Sequence, residues 1–351
     1  MPEKQRPLIA VTRGSPLALT QTRQVLAECR ALFPEWQFEY AIVKTTGDKL
    51  QKASMAQPNP ALPKGLFTKE LEIALLEGRA DLAIHSLKDL PTELPDGLEL
   101  GAVPLRADPR DVLIYRSRRG AAAASGNAGE AASGNGPVRR WFAPGLTLAQ
   151  LPEGATLATS STRRREQLLA VRPDLRVVEI RGNVGTRLQK LLQNAELDGT
   201  LLAAAGLGRL GYRIGADGSL SLRPAGEAGA ASDWIVQTEF HVSLLPVEEM
   251  LPCVGQAALG IEIRSDDPRM RSVCERLTHF ETRQCVVAER AFLRAMGGGC
   301  QSPVAAYAEA VDGGLRLRAV SFRDGPAKSA ALNGPMDAPE ALGQSMAGRL
   351  R

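Results

Sequence analysis

The chain has 351 residues, of which 44% are hydrophobic, so it is long enough for two or three domains with buried cores. This composition excludes disorder of the whole chain, and no apolar run reaches the length of a transmembrane helix. A net charge of only +4 with 4% aromatic residues argues against nucleic acid as a partner, since stacking platforms need aromatic rings.

The first part of the chain alternates predicted strands and helices. Strands are predicted over residues 8–12, 38–43 and 81–85, and helices over 16–33 and 68–78. Ser15 is a favourable N-cap residue, and the proline that follows it suits the first helical position.

Residues 46–64, which lie between the second predicted strand and the next helix, are irregular, as is typical of a lid or of a disordered segment. The alternation itself predicts a mostly parallel, doubly wound sheet, whose ligands bind beyond the carboxyl ends of the strands. Four polar residues lie at such ends: Arg13, Ser15, Lys88 and Asp89.

A second α/β unit is predicted from residue 146, with strands over 155–158, 176–180 and 200–204. A hydroxyl-rich turn at 159–162 precedes one helix, and a glycine turn at 181–187 precedes the next. Two segments rich in alanine and glycine, 118–140 and 215–232, are interpreted as insertions without an assigned function.

The last part of the chain predicts a small α+β domain. It has helices over 268–277 and 284–296, strands over 304–311 and 315–320, and a final helix from residue 339. Between the second helix and the first strand, Cys300 follows three glycines. The residues alone leave two interpretations: Gly297 ends the helix and Cys300 fills an apolar hole, or the bare turn presents the thiol for chemistry.

Cysteine usage bears on the compartment. The five cysteines are widely spaced and form no CxxC pair: Cys29, Cys253, Cys274, Cys285 and Cys300. An odd number without pairs predicts a reducing environment, and the polar start of the chain predicts no signal peptide. We therefore expect a cytoplasmic protein. The three histidines are isolated, so we expect no metal site.

Arginines carry the clearest chemical signal. Three of them, Arg163, Arg164 and Arg165, open a predicted helix, where the helix dipole disfavours positive charge. A bound anion would reverse that sign, helped by the hydroxyls of Ser160 and Ser161. The alternative to an anion site is a solvated basic face whose arginines form structural salt bridges.

Two further places repeat this arrangement. Arg181 and Arg187 bracket a glycine turn, and Arg13 lies beside Ser15. Several arginine sites predict a ligand with several carboxylates or phosphates.

Asp89, next to Lys88, is the second chemical element. A carboxylate among so many cations stays ionised, and it is suited to stabilise a cationic intermediate or to accept N–H donors. Taken alone, an aspartate in this position also suits a helix cap or a turn.

These motifs together resemble the porphobilinogen deaminase (hydroxymethylbilane synthase) family. They recur in the order of that family and cover most of the chain, at residues 13–19, 64–72, 85–91, 160–164, 181–187 and 298–301. Each motif is weak to moderate alone, and the combination is highly specific.

The resemblance implies a fold and a reaction. The fold is two doubly wound α/β domains like those of type II periplasmic binding proteins, with the active site in the cleft between them, and a small C-terminal α+β domain. We expect domain 1 at 1–114 and 235–265, domain 2 at 115–234 and domain 3 at 266–351. The family joins four porphobilinogen units head to tail into hydroxymethylbilane with release of ammonia, and we expect a monomer.

The resemblance also implies site residues and a cofactor. Cys300 matches the cysteine that holds a covalent dipyrromethane cofactor through a thioether, and Asp89 matches the catalytic aspartate. The other residues implied to bind the cofactor are Lys88, Ser15, Arg163, Arg164, Ser161, Arg187 and Gly182. The residues implied to bind substrate are Arg13, Arg181, Arg209, Phe67 and Lys64.

Some positions depart from the family pattern. Thr46 stands where an arginine is usual, Ala257 replaces a glycine, and Gly208 replaces a basic residue. The lid segment also lacks the usual glycine pair before Lys64. None of these changes removes Cys300 or Asp89.

A non-enzymatic binder of small polyanions on the same two-lobed scaffold is the competing interpretation. It accounts for the arginines and for two α/β lobes. It accounts neither for Cys300 nor for a third domain, so the enzyme is preferred.

Overall fold

The structure, a computed structural model, describes residues 6–45, 68–117, 129–130, 139–223, 235–299 and 302–351. Within these ranges, helices α1 to α8 are Pro16–Leu32, Lys69–Leu76, Thr162–Val171, Val184–Gln193, Ala204–Arg209, Pro268–Leu277, Phe280–Ala295 and Pro339–Leu350. The strands of the same ranges, β1 to β17, are Leu8–Arg13, Phe38–Val43, Leu82–Ser86, Leu98–Ala102, Asp111–Arg116, Gly129–Glu130, Arg139–Arg140, Thr156–Ala158, Arg176–Val178, Gly199–Ala203, Tyr212–Ile214, Ser219–Leu222, Ile235–Leu244, Leu259–Arg264, Val304–Val311, Gly314–Ser321 and Lys328–Pro335.

The chain divides into two compact units. The first combines Met1–Ala107 with Cys253–Arg351, and the second is Asp108–Pro252. Each unit contains an α/β sheet, and the first also contains the C-terminal α+β part.

The α/β sheet of the first unit has the strand order β2-β1-β3-β14-β4. Strand β1 runs parallel to β2 and β3, while β14 returns antiparallel to β3 and β4. Side chains of β1 alternate between two cores, with Leu8 and Ala10 in the core that includes α1 and Val11 in the core that includes α2. Helices therefore cover both faces, as a doubly wound sheet requires.

The sheet of the second unit follows the same plan with more strands, in the order β11-β12-β13-β5-β10-β8-β9. Strand β8 runs parallel to β9 and β10, whereas β5 runs antiparallel to β10 and β13. Val112 of β5 faces the core that includes α4, and Leu113 faces the core that includes α3. The predicted fold class is confirmed, but only the β2-β1-β3 and β9-β8-β10 groups are parallel.

The C-terminal part is a three-stranded antiparallel sheet, β15-β16-β17, with α7 and α8 packed on one face. Leu315, Leu317 and Ala319 point into this core, as their alternation in the sequence predicts. The sequence did not predict β17, which is an edge strand with mostly exposed residues and a weak apolar pattern.

The predicted domain boundaries stay a prediction. In the structure, strand β13 pairs with β5 inside the second unit. Helix α6 packs Met270 and Val273 into the core beside α1.

The interpretation of residues 215–232 as an insertion is wrong for its first half. Ser219–Leu222 forms β12, which pairs with β11 and β13 and buries Leu220 completely. Residues 224–234 lie outside the described residues.

Most of the other predicted insertion, residues 118–128 and 131–138, also lies outside the described residues. Its last residue, Arg140, is anchored, because its Nε donates to the buried carboxylate of Asp198 at 2.7 Å.

A buried carboxylate holds the first unit together. Glu289 of α7 is fully buried and accepts from Arg106 at 2.6 and 3.2 Å, from the Gly255 backbone N–H at 2.7 Å and from the Ala308 N–H at 2.9 Å. Burial disfavours the charged form of Arg106, but Glu289 outweighs it and raises the pKa of this guanidinium. One charge thus joins the segment after β4, the turn before β14 and the C-terminal domain.

That turn contains Ala257, one of the departures from the family pattern. Ala257 is buried and has φ 69°, in the left-handed region that favours glycine. The usual glycine at this position is therefore explained by backbone geometry, and alanine here carries conformational strain.

We expect Glu289→Gln to lower the free energy of unfolding by about 3–5 kcal/mol, because it leaves the Arg106 guanidinium buried without a counter-charge. Chemical denaturation monitored by circular dichroism measures this change. Glu281→Gln, on the exposed face of the same helix, is the matched control and should leave stability nearly unchanged. Equal denaturation midpoints for the two variants would contradict the central role of Glu289.

Candidate active site

The first unit brings four predicted site residues to one edge of its sheet. Because β1 and β3 are adjacent and parallel, their carboxyl ends lie at the same edge of the sheet. Arg13 is the last residue of β1 and Ser15 comes shortly after it, while Lys88 and Asp89 follow β3. Ser15 caps α1 by accepting from the Ala18 backbone N–H at 3.2 Å, which confirms the predicted cap.

Asp89 ends a short 3-10 helix, Leu87–Asp89, directly after β3. Its side chain is exposed, and among the described residues no hydrogen bond or ion pair reaches the carboxylate. Within the same residues the Asp89 carboxylate accepts no backbone N–H, so the alternative interpretation of Asp89 as a helix cap is not supported. Lys88 beside it is half-buried.

The second unit gathers the other predicted residues at the carboxyl edge of its parallel strands. Ser161 follows β8, Gly182 follows β9, and α5 with Arg209 follows β10. Helices α3 and α4 both begin at this edge, where Ser161 accepts from the Arg164 N–H at 3.4 Å and Asn183 accepts from the Thr186 N–H at 2.9 Å.

Arg163 and Arg164 have a partner that the sequence analysis missed. Their side chains are buried, and each donates to one oxygen of the Asp111 carboxylate at 2.7 Å. Burial raises the pKa of Asp111, but the two guanidinium groups outweigh it and hold that pKa well below its usual range. The anion that these arginines need at a helix N-terminus thus comes from β5 of the same chain, and their role in cofactor binding stays a prediction.

Charge still favours an anion at this edge. Two guanidinium groups share one carboxylate, so the cluster of Asp111, Arg163 and Arg164 retains one positive charge. In the sequence, Asp111 is recognisable only as a carboxylate at the start of a buried strand. That position does not predict which arginines it pairs with.

Arg187 is the predicted arginine best placed for a ligand. Its Nε donates to the Gly182 carbonyl at 2.9 Å, and within the described ranges its two terminal nitrogens have no hydrogen-bond partner. Burial, and then repulsion from Arg164, lowers its pKa. A half-buried guanidinium repelled by another one favours a carboxylate ligand that offsets both effects.

The remaining two arginines differ in setting. Arg181 is exposed, and its Nη2 lies 3.5 Å from Oε2 of Glu179. Arg209 ends α5, and burial lowers its pKa to about 10.

Three predicted site residues, Lys64, Phe67 and Cys300, lie outside the described residues, as does the whole lid segment 46–64. Before Cys300, the predicted helix stop is confirmed: Gly297 adopts φ 65°, and the Gly298 N–H donates to the Leu293 carbonyl at 3.1 Å.

The described part of the chain contains no group of three or more His, Cys, Asp and Glu side chains that could hold a metal ion. None of the helices in the described ranges is long and apolar enough to cross a membrane.

Comparison with known families decides the identity. The family model "Porphobilinogen deaminase, dipyromethane cofactor binding domain" matches residues 8–272, and "Porphobilinogen deaminase, C-terminal domain" matches residues 283–351. The chain belongs to the porphobilinogen deaminase family. The non-enzymatic solute-binding alternative is therefore not favoured.

Individual members of this family are similar over nearly the whole chain. A porphobilinogen deaminase from Desulforudis audaxviator is 42% identical over 99% of this chain and 94% of that protein. One from Syntrophus aciditrophicus is 40% identical, covering 97% of this chain and 93% of the relative. A solved ancestral cationic amino acid solute-binding protein aligns with 9% identity and a TM-score of 0.38 over 77% of this chain and 87% of its own, which is too distant to support any argument.

We expect Asp111→Asn to lower the free energy of unfolding by about 3–5 kcal/mol at neutral pH, because it leaves two buried guanidinium groups without their counter-charge. Since the folded-state pKa of Asp111 is lowered, its stabilisation is complete above the ordinary pKa of about 3.9 and is lost as the pH falls below that value. Urea denaturation at pH 7 and at pH 3 measures both effects. A difference from the wild type that does not shrink at pH 3 would contradict this assignment.

Proposed function

We propose that this protein joins four porphobilinogen units head to tail into hydroxymethylbilane, with one ammonia released for each unit. Family membership over nearly the full chain supports this reaction. The observation that carries the proposal is the exposed carboxylate of Asp89, which follows the central strand β3 and has no partner among the described residues.

The chemistry explains why a carboxylate is needed there. In each condensation the C–N bond of the aminomethyl group breaks, the nitrogen leaves as ammonia, and the substrate becomes a delocalised azafulvenium cation. The α-carbon of another pyrrole then forms a C–C bond to the cationic methylene, and that ring loses its α-proton. A fixed carboxylate such as Asp89 stabilises the cation by charge and accepts a hydrogen bond from the pyrrole N–H.

The residues at the edge of the second unit fit a cofactor with carboxylate side chains. The fit rests on Arg187, whose terminal nitrogens are unused among the described residues and whose guanidinium Arg164 repels. A dipyrromethane joined to Cys300 by a thioether would supply the pyrrole to which the first unit is added. The proposed ligands of its carboxylates and rings are Arg187, Arg163, Arg164, Ser161, Gly182, Ser15 and Lys88.

We assign substrate carboxylates to Arg13, Arg181 and Arg209, with Lys64 and Phe67 as further substrate contacts. Guanidinium forks match the paired oxygens of a carboxylate, which suits a substrate that carries two such groups on each ring.

We propose that the enzyme acts as a monomer in the cytoplasm, without nucleic acid or membrane as a partner. The four cysteines in the described ranges form no disulfide, as a reducing compartment favours. Size-exclusion chromatography with light scattering tests the monomer.

The intact mass of the purified wild type should exceed the mass of its sequence by one dipyrromethane. Cys300→Ala should remove this increment, because it removes the sulfur of the thioether. Cys253→Ala, which changes another partly exposed thiol, is the matched control and should keep it. A wild type with full activity and no added mass would contradict a cofactor on Cys300.

Asp89→Asn should lower kcat for porphobilinogen by about 10²- to 10³-fold, because the neutral amide no longer stabilises the developing cation. The melting temperature should stay unchanged, since the side chain is exposed. Kinetics should be expressed per cofactor-loaded molecule, as counted by mass spectrometry. Asp96→Asn, an exposed aspartate on the same connection, is the control and should keep the wild-type kcat. A kcat for Asp89→Asn equal to that control would remove Asp89 from the mechanism.

A further inference from the structure

Helix α7 holds the backbone just after Asp89. Arg290 donates from one terminal nitrogen to the Leu90 carbonyl at 3.1 Å and from the other to the Pro91 carbonyl at 2.6 Å. These two carbonyls are the first that follow Asp89 in the chain. Arg290 thus fixes the path by which the backbone leaves the aspartate.

The setting of Arg290 is unusual for an arginine. Burial lowers its pKa to about 10, with a further contribution from Arg294 that Glu262 partly offsets, and within the described residues no carboxylate lies close enough to form an ion pair with it. A guanidinium gains more from a carboxylate than from carbonyls, as Arg106 does from Glu289 at the preceding position of the same helix. Binding two carbonyls therefore stabilises the buried Arg290 less than an ion pair would. Its effect is to fix the backbone at Leu90 and Pro91.

Glu289 supports the backbone on the other side of Asp89. It accepts from the Gly255 N–H at 2.7 Å, and Gly255 adopts φ 69°. A Cβ at Gly255 would lie 3.2 Å from the carbonyl carbon of Leu87 and 3.2 Å from the nitrogen of Lys88, so only glycine allows this turn to pack so closely. The Leu87 N–H also donates to the Ala258 carbonyl at 3.0 Å.

Two consecutive residues of α7 therefore fix the segment before and after Asp89. The carboxylate of Asp89 has no partner of its own among the described residues, so its place depends on this backbone. We propose that Arg290 is a positioning residue, which sets the place of the Asp89 carboxylate relative to the reacting pyrrole. This inference rests on the proposed role of Asp89.

The first test compares Arg290→Met with Arg290→Lys. Arg290→Met removes both donors, and because a misplacement of about 1 Å costs about 10²-fold in rate, we expect kcat to fall by about 10- to 100-fold. The KM for porphobilinogen should change by no more than about 2-fold, since the lost contact binds no substrate. Arg290→Lys keeps the positive charge but offers one donor nitrogen in place of two, so it should recover part of the lost kcat.

Arg283→Met is the matched control, because it removes an exposed arginine from the same helix. It should leave kcat, KM and the melting temperature unchanged. All rates are divided by the cofactor-loaded fraction from intact mass, so that slow cofactor assembly is not mistaken for slow turnover.

A double-mutant cycle with Asp89→Glu separates positioning from general destabilisation. Asp89→Glu keeps the charge but moves the carboxylate away from its productive place. If Arg290 acts by placing that carboxylate, its removal should cost less kcat in the Asp89→Glu background than in the wild type. We expect the double variant Asp89→Glu with Arg290→Met to lose less kcat than the product of the two single losses. Losses that multiply would show that Arg290 acts independently of Asp89 and would overturn the inference.

The failure of this inference differs from the failure of the proposed function. A wild type that does not convert porphobilinogen overturns the proposed function. An active wild type, an impaired Asp89→Asn and an Arg290→Met with unchanged kcat overturn only the role of Arg290. If Arg290→Met does not fold, the same cycle with Arg290→Lys decides.

Discussion

The buried carboxylate of Glu289 is the constraint on which the first unit depends. A charge removed from water is tolerated only when donors surround it, and here a guanidinium and two backbone N–H groups do so. Each donor belongs to a different segment, so satisfying one charge fixes the segment after β4, the turn before β14 and strand β15 around α7. The next residue of that helix, Arg290, then reaches the backbone beside Asp89. Stability and the placement of the aspartate therefore share one helix.

The second unit uses the same principle, with two guanidinium groups around the buried carboxylate in place of one. Here two cations, Arg163 and Arg164, surround one buried anion, Asp111, at the edge where α3 begins. Arg187 has a different setting, because its terminal nitrogens have no partner in the described ranges and its charge is repelled by Arg164. A carboxylate-bearing ligand relieves that repulsion.

Much of the site was predictable from the sequence because its signals are local. The cap residue Ser15 is recognised because it lies only three residues from the N–H group that it accepts from. The position of Asp89 after a buried strand follows from the alternation of strands and helices, since parallel strands end at a common edge. The motifs also identify the family, which the comparison over residues 8–272 and 283–351 confirms.

What the sequence by itself determined is thus most of the elements, the family and the candidate residues. Only the tertiary structure decided which arginines pair with a buried carboxylate of the same chain, because these partners are distant in the sequence. Asp111 and Arg163 are 52 positions apart, and Arg106 and Glu289 are 183 apart. Strands β12 and β13 were not predicted for the same reason, since their pairing partners lie in other segments of the sheet. A local pattern records the chemistry of a residue, whereas a buried ion pair depends on which segments the fold brings together.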